Sequence, residues 1–555
     1  MNKILFTSVC RPFGGKHEGK SVGAELFHMQ ITRAQGMFSP RQVIRCWALD
    51  YIAENIETPS VVLHYPSEAE LIRELRTGDF DCVGISFVVS TFHKVERMVR
   101  LIRRYRPGAQ IILGGYGTVL PDDMLLPLCD HICREEGIAF MRRLLGERLE
   151  RPIRHPYAPI ASPEIFYTGY SRKVMHITGG LGCPNGCDFC CTSHFFKRKY
   201  LSFTADGRQL YREMARLKRE CGDRFGGFAV IDEDFFIHRE KALQYLECVK
   251  QNEDDFAMMA FGSVKGLSQF TADEIAMMGV DLLWIGFESE KSDFRKLDGK
   301  PIGTLIRELR SRGVAVIASM IIGFPGQDRE SIERDFQRLM SAQPDFSQFL
   351  IYFAFPGTPL HRYVMEQDLY SPPYRTNPDY RTFDGFASHF TQEHFRPGEL
   401  ESLQEELYRR DYERLGPSVV RAASAWLEGY RNLRDSAEPL LRKRAERKLA
   451  ALREILPVVY AAAVLGPGRA RREEARILKD HITAALGGIS PGHRIFCWGA
   501  IPMAFIAGLR LKSGFLDRRL RLEKVAYHRK ESAAVPQILQ SEACRNFSEL
   551  RGERL

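Results

Sequence analysis

The chain places Cys183, Cys187, Cys190 and Cys191 within the 13-residue stretch GGLGCPNGCDFCC, residues 179–191, and scatters its other nine cysteines. Thiols this crowded ligate metal or trade electrons. The spacing Cys183-x3-Cys187-x2-Cys190 lets three thiolates of one loop hold three corners of a cubane iron–sulfur cluster, while a glycine-rich backbone turns amides toward its sulfides. The fourth iron is then without a protein ligand. A tetrahedral zinc site asks for four ligands, usually in two separated pairs, and the sequence has no second C-x2-C. A redox C-x2-C alone leaves Cys183 and the glycines 179, 180, 182 and 186 without a role. Cys191 is an extra thiol that the three-ligand spacing does not require.

Such a loop must be held at a strand end, and the flanking pattern supplies the strands. Val174–Thr178 leads into it, followed by apolar runs at 227–231, 256–261, 282–287, 314–322 and 349–353, nearly all separated by helical patterns. Six parallel strands in a partial β/α barrel follow, with ligands at the C-terminal strand ends. Earlier, runs at 4–8, 60–64, 82–89 and 109–115 alternate with helical spacing such as Val95, Met98, Val99 and Ile102. That alternation predicts a doubly wound, Rossmann-like parallel sheet. The domain expectation is therefore 1–149 for this first α/β unit, a proline-bearing linker at 150–172, a barrel at 173–385, and a mainly helical C-terminal region at 386–555.

The cysteine loop resembles that of the radical S-adenosylmethionine (SAM) superfamily, CxxxCxΦC, with Phe189 as the aromatic Φ. The resemblance implies a [4Fe–4S] cluster ligated by Cys183, Cys187 and Cys190, its open iron chelated by the methionyl end of SAM, and sulfonium cleavage to a 5′-deoxyadenosyl radical. It implies further SAM contacts: Phe189 against the adenine, Asp232 and Asp234 of the stretch IDEDFF near the methionyl amino group, and Glu288 and Ser289 of IGFES near the ribose or methionyl part. Ser319 and Ile321 of SMIIGFPG stand at an adenine-side "GxIxG" whose first glycine is here serine, with Gln327 where glutamate is common. Family members require an external flavodoxin or ferredoxin to reduce the cluster.

Residues 1–145 resemble the cobalamin-binding-type domain that precedes the barrel in one subgroup of that superfamily. Ser86 matches loosely its S-x-L element, and Gly114-Gly-Tyr-Gly117 its later Gly-Gly loop, so Ser86, Gly114, Gly115, Tyr116 and Gly117 are the implied cobalamin-binding residues. The histidine-bearing D-x-H-x2-G loop is absent, so His17, His28 and His93 do not inherit the role of cobalt ligand. Glu135-Glu-Gly137 marks the domain's end. A strand-to-helix turn with nothing bound is the structural alternative for the glycine loop.

The remaining features bound the reading. An odd cysteine count and an N-terminus without a long apolar signal predict reduced thiols and a cytoplasmic protein. The net charge of +9 arises beyond residue 401, where about 29 Lys and Arg face about 19 Asp and Glu. Interspersed glutamates make that surplus a solvated helical face, and no basic–aromatic interleaving suggests nucleic acid. The 15 residues Ile495–Leu509 carry no charge. They are expected to form a core helix kinked at Pro502, too short to cross a bilayer, with a substrate lid or interfacial contact as the alternative. The leading expectation is a cobalamin-dependent radical SAM methyltransferase acting on an unactivated carbon of a small-molecule, peptide or lipid substrate, one SAM methylating the corrinoid and another supplying the radical. A radical rearrangement, cyclisation or epimerisation enzyme is the alternative, and a non-enzymatic cluster scaffold the remote one. Substrate choice belongs to loops and the C-terminal region rather than to the shared motifs.

Overall fold

The computed structural model describes residues 3–11, 27–166, 172–376, 378–512, 523–527 and 538–539. His17, Cys544 and positions 167–171 of the expected linker lie outside them. Ile4–Ser8 (β1), Ser60–His64 (β2), Cys82–Ser86 (β3), Gln110–Gly114 (β4) and His131–Ile132 (β5) run parallel in the order β2-β1-β3-β4-β5. All five residues of β1 and of β2 are buried, as in a sheet covered by helices on both faces. The strand order reverses between β1 and β3, which opens a crevice at their carboxyl ends. The run expected as a strand to residue 89 stops at Ser86, where the Phe87 amide donates to the Gly114 carbonyl and the chain turns into a short 3-10 helix, Val89–Thr91.

The second sheet comprises Pro159–Ala161 (β6), Lys173–Ile177 (β7), Phe225–Val230 (β10), Met258–Gly262 (β11), Val280–Glu288 (β12), Ala315–Ile322 (β13) and Phe346–Ile351 (β14), neighbours in that order. The last six are parallel and form a curled half-barrel. Between β7 and β10, Gly180–Leu181 (β8) and Leu201–Ser202 (β9) pair antiparallel and close the base of the cysteine loop. The stretch expected as linker is therefore not all connection. Its β6 lies antiparallel on β7, because the edge of β7 leaves backbone groups that need partners.

From Glu399 to Lys512 five helices succeed one another, the third, Pro439–Leu465, crossing the N-terminal side of β11 and β12. There Arg444 and Arg447 pair with Asp255, and Arg447 and Lys448 reach Asp281 at 2.9 and 3.0 Å. The carboxyl ends of the strands lie opposite. Two features depart from a purely helical C-terminal region. Glu523–Tyr527 (β15) pairs antiparallel with β2 of the first sheet, and Ile538–Leu539 (β16) with β15. Tyr527 donates to Asp50 Oδ1 at 2.8 Å, Lys524 bonds Glu74 at 2.8 Å, and Glu523 pairs with Arg45. The expected kinked core helix is instead a 22-residue helix, Pro491–Lys512, running through Pro502 with most of its large side chains outside. Among the described residues it is the helix long and apolar enough to cross a membrane, by length and composition.

Candidate active site

The cysteine loop leaves β7 at its carboxyl end, and backbone geometry explains its glycines at two points. Gly182 (φ +88°) and Gly186 (φ +72°) take left-handed conformations. A Cβ at Gly182 would lie 2.2 Å from the Lys199 carbonyl oxygen, and one at Gly186 2.5 Å from Arg198 Nε. The Ser193 hydroxyl donates to the Cys183 carbonyl at 2.7 Å and accepts from the Gly186 amide at 3.0 Å. The helix Cys191–Phe195 continues from Cys190 as its cap residue.

Cys183 and Cys187 are buried. Burial pushes their thiols up to about 11 and about 12, and raises Cys190 and Cys191 too. As free thiols they stay protonated at neutral pH, so they become ligands only where a metal takes the place of the protons. Among the described residues no three His, Cys, Asp or Glu side chains converge on one ion. Thiolates on separate irons of a cubane need no such convergence.

The neighbouring strand ends brace this loop. Asp232, past β10, accepts from the Gly179 amide at 2.7 Å, Thr178 Oγ1 at 3.0 Å and the Tyr200 hydroxyl at 2.8 Å. Its carboxylate ties the ends of β7 and β10 together. Asp234 accepts from the Ser263 amide and from Asn185 Nδ2, each at 3.2 Å, and Asn185 Nδ2 lies 3.2 Å from Cys183 Sγ. Burial raises both aspartates above the usual carboxylate range. Glu233, between them, accepts from the Gly182 amide at 3.0 Å and is raised by burial to about 7.

Glu288 ends β12 in a left-handed conformation (φ +58°) that a non-glycine residue rarely adopts. One carboxylate oxygen pairs with Lys296, while Oε2 is buried without a hydrogen-bond partner among the described residues. Backbone strain and an orphaned buried acceptor together mark a group shaped for a ligand. Lys296 also lies over the rings of Phe189 and Phe294 at 5.6 and 5.8 Å. Phe189 meets Phe294 and Tyr352 edge-on at 5.5 and 5.8 Å, and the Tyr352 hydroxyl donates to Asp188 at 2.6 Å. The half-buried cation, the open carboxylate oxygen and the aromatic wall suit the charged amino-acid end and flat base of SAM.

Ser289 and Ser319 stand elsewhere. The Ser289 hydroxyl donates to Asp335 at 2.5 Å and accepts from Gln327 at 3.0 Å, while Gln327 Oε1 takes the amides of Gly323 and Phe324. Gln327 therefore locks the turn after β13. Ser319 joins Trp284 Nε1 at 2.6 Å to Gln348 at 2.7 Å, in a polar chain reaching Gln30. Ile321 is buried in a core that spans the first sheet and the top of the half-barrel, with Leu113, Phe324 and Tyr352. Lys296, Asn185, Ser263 and Tyr200 escaped sequence reasoning. Asn185 sits within the cysteine loop itself, at an x position of its spacing, whereas folding brings Lys296, Ser263 and Tyr200 to it.

At the crevice of the first sheet lies a cavity of about 360 Å³, lined by Ser86, Gly114, Gly115, Tyr116, Glu135 and Glu136 among others. Two of the loop glycines answer to the protein's own packing: a Cβ at Gly115 (φ +88°) would meet the Phe87 carbonyl at 2.6 Å, and one at Gly117 the Phe87 ring at 2.2 Å. Gly114 differs. Its nearest neighbour to such an atom is 3.8 Å away, which leaves room for close approach. Glu136 caps the helix Gly137–Leu145 by accepting from the amides of Ile138 and Ala139. The cavity's far wall comes from the half-barrel, as Leu181, Phe195 and Phe196.

Residues 48–145, which include that glycine loop, match the family model of the B12 binding domain. An uncharacterized methyltransferase of Pyrococcus horikoshii is 21% identical over 338 residues, covering 54% of this chain and 73% of the relative. A bacteriochlorophyllide d C-12(1)-methyltransferase of Chlorobaculum tepidum is 25% identical over 311 residues, 51% of this chain and 67% of its own. An anaerobic magnesium-protoporphyrin IX monomethyl ester cyclase of Cereibacter sphaeroides is 25% identical over 350 residues, 55% and 56% respectively. The chain is thus similar, over about half its length, to two methyltransferases and a cyclase, and residues 48–145 of its first α/β unit match the model of the B12 binding domain.

Proposed function

We propose that this protein is a cobalamin-dependent radical SAM enzyme that methylates an unactivated carbon. One observation carries the reading: the helix that follows the cysteine loop supplies Phe195 and Phe196 to the wall of the B12-domain cavity. The two centres then share a partition, as a methyl group bound for a nearby substrate carbon requires. When bound, the cluster and SAM supply a carbon radical, and the corrinoid supplies the methyl group.

The chain's own residues bind and exclude. Cys183, Cys187 and Cys190 hold the cluster, and Asn185 donates toward the Cys183 sulfur. Lys296 offers a cation to the SAM carboxylate, Glu288 Oε2 an acceptor to its amino group, and Phe189 a face to its adenine. Phe195, Phe196 and Tyr116 exclude water between the centres. A flavodoxin or ferredoxin supplies electrons.

Anaerobic reconstitution with a reductant and SAM tests the reading. It predicts 5′-deoxyadenosine and a red-orange corrinoid spectrum after cobalamin is added; an intact cluster that yields no 5′-deoxyadenosine overturns it. The cyclase among the relatives favours a second reading, ring closure or rearrangement without methyl transfer. Transfer of label from methyl-labelled SAM into product separates the two.

A further inference from the structure

The helix Pro491–Lys512 is packed inside out. Its small residues Cys497, Ala500, Ala504 and Ala507 are buried, against partners that include Val458, Val459 and Ala461 on the helix Pro439–Leu465. Its large ones face outward: Ile495 is 74% exposed, Trp498 59% and Phe505 55%, with Ile506 and Leu509 beside them. Positions 495, 498, 505, 506 and 509 recur on one side of a 3.6-residue helix. A core helix does the reverse.

The charge pattern selects what covers this face. No Asp or Glu occurs between Pro491 and Lys512, whereas His493 and Arg494 stand near one end and Arg510 and Lys512 at the other. A protein partner's interface core sheds charge of either sign. Basic residues at both ends of a Trp- and Phe-bearing apolar stripe instead match an anionic headgroup layer above acyl chains. The inner face of the helix is already against protein, which leaves its outer face for lipid. We propose that this helix lies in the plane of an anionic membrane surface, inserting Ile495, Trp498, Phe505, Ile506 and Leu509 and docking the enzyme there peripherally.

Flotation of the full-length protein with phosphatidylcholine vesicles, with and without an equimolar share of phosphatidylglycerol, tests the assignment. The protein is expected to float with the anionic vesicles and to lose affinity as salt rises. Trp498→Ser combined with Phe505→Ser should weaken binding by about tenfold per ring removed, while an unchanged melting transition shows an intact fold. If that variant fails to fold, Ile495→Asp at the most exposed position makes the same test. Arg494→Glu with Arg510→Glu should lower affinity for anionic vesicles alone. Failure to float with phosphatidylglycerol vesicles, equal binding to pure phosphatidylcholine, or binding that survives the apolar substitutions overturns the proposal. So does a dimer in sedimentation that Trp498→Ser with Phe505→Ser dissociates, because a second copy would then be the occupant.

Discussion

Tyr116, on the glycine loop of the first sheet, meets Phe195, on the helix after the cysteine loop, edge to face with ring centroids 5.2 Å apart and an interplanar angle of 86°. Phe196 also meets the Tyr116 ring, at 6.4 Å, so the two candidate cofactor sites touch through an aromatic cluster centred on Tyr116. Each such pair contributes about 0.5–1.5 kcal/mol beyond the area it buries. Phe195→Ala is expected to weaken cobalamin binding about threefold to tenfold and to leave iron content unchanged, measured by absorbance titration with hydroxocobalamin. Equal affinity would detach the pair from the corrinoid site.

The cysteines divide unequally. Ala at Cys183, Cys187 or Cys190 should abolish the iron–sulfur absorption together with SAM cleavage, whereas Cys191→Ala should keep both. Loss of the cluster in Cys191→Ala alone would shift the register of ligands by one residue.

Glu288 is buried and pairs with the half-buried Lys296, with one acceptor left open. Glu288→Gln should retain iron yet weaken SAM binding by about tenfold to a hundredfold, the worth of a charge-assisted hydrogen bond. Lys296→Met leaves the carboxylate buried beside no cation and should destabilise the fold by about 3 kcal/mol. Equilibrium binding reads the first and denaturant unfolding the second; unchanged SAM affinity in Glu288→Gln would remove Glu288 from the site.

Three histidines are buried and held neutral. Burial lowers His155 to about 3, His176 to about 4 and His389 to about 3. Because the folded values lie below the ordinary 6.5, acid protonates the unfolded chain first. Each histidine then costs about 1.4 kcal/mol per pH unit below that value until its folded form titrates. Compared with the wild type, His155→Gln should therefore lose less stability as pH drops from about 6.5 toward 4, by about 1.4 kcal/mol per pH unit, read by denaturant unfolding. Parallel pH profiles for the two proteins would show the His155 site to be hydrated.

Four parallel strands of the first sheet and six of the second were legible because uninterrupted apolar runs between helical periods have few other solutions. Val95, Met98, Val99 and Ile102, read as one face, are all buried. Other features were illegible for physical reasons. Hydropathy records that 495–509 is apolar without recording which side is large, so an outward-facing stripe reads as core. Short edge strands such as Pro159–Ala161 exist only because a neighbour's backbone needs partners. Lys296 carries no local pattern, since tertiary folding alone makes it a neighbour of the cysteines, and Asn185 stands at an x position of the loop that the cysteine spacing leaves open. Ser289 and Ser319 occupy their motif positions, and their hydroxyls are engaged by Asp335 and Gln327 and by Trp284 and Gln348.

The late strand Glu523–Tyr527 on β2 sets an order for biosynthesis. The five parallel strands of its sheet are complete by Ile132, yet this strand leaves the ribosome only after the half-barrel and the C-terminal helices. At roughly 5–20 residues per second that interval is on the order of tens of seconds. Throughout it, the edge of β2 stays open on the nascent chain, and Asp50 waits for Tyr527. A ribosome that stalls late in this message would release a protein with most of its domains folded and one adhesive edge.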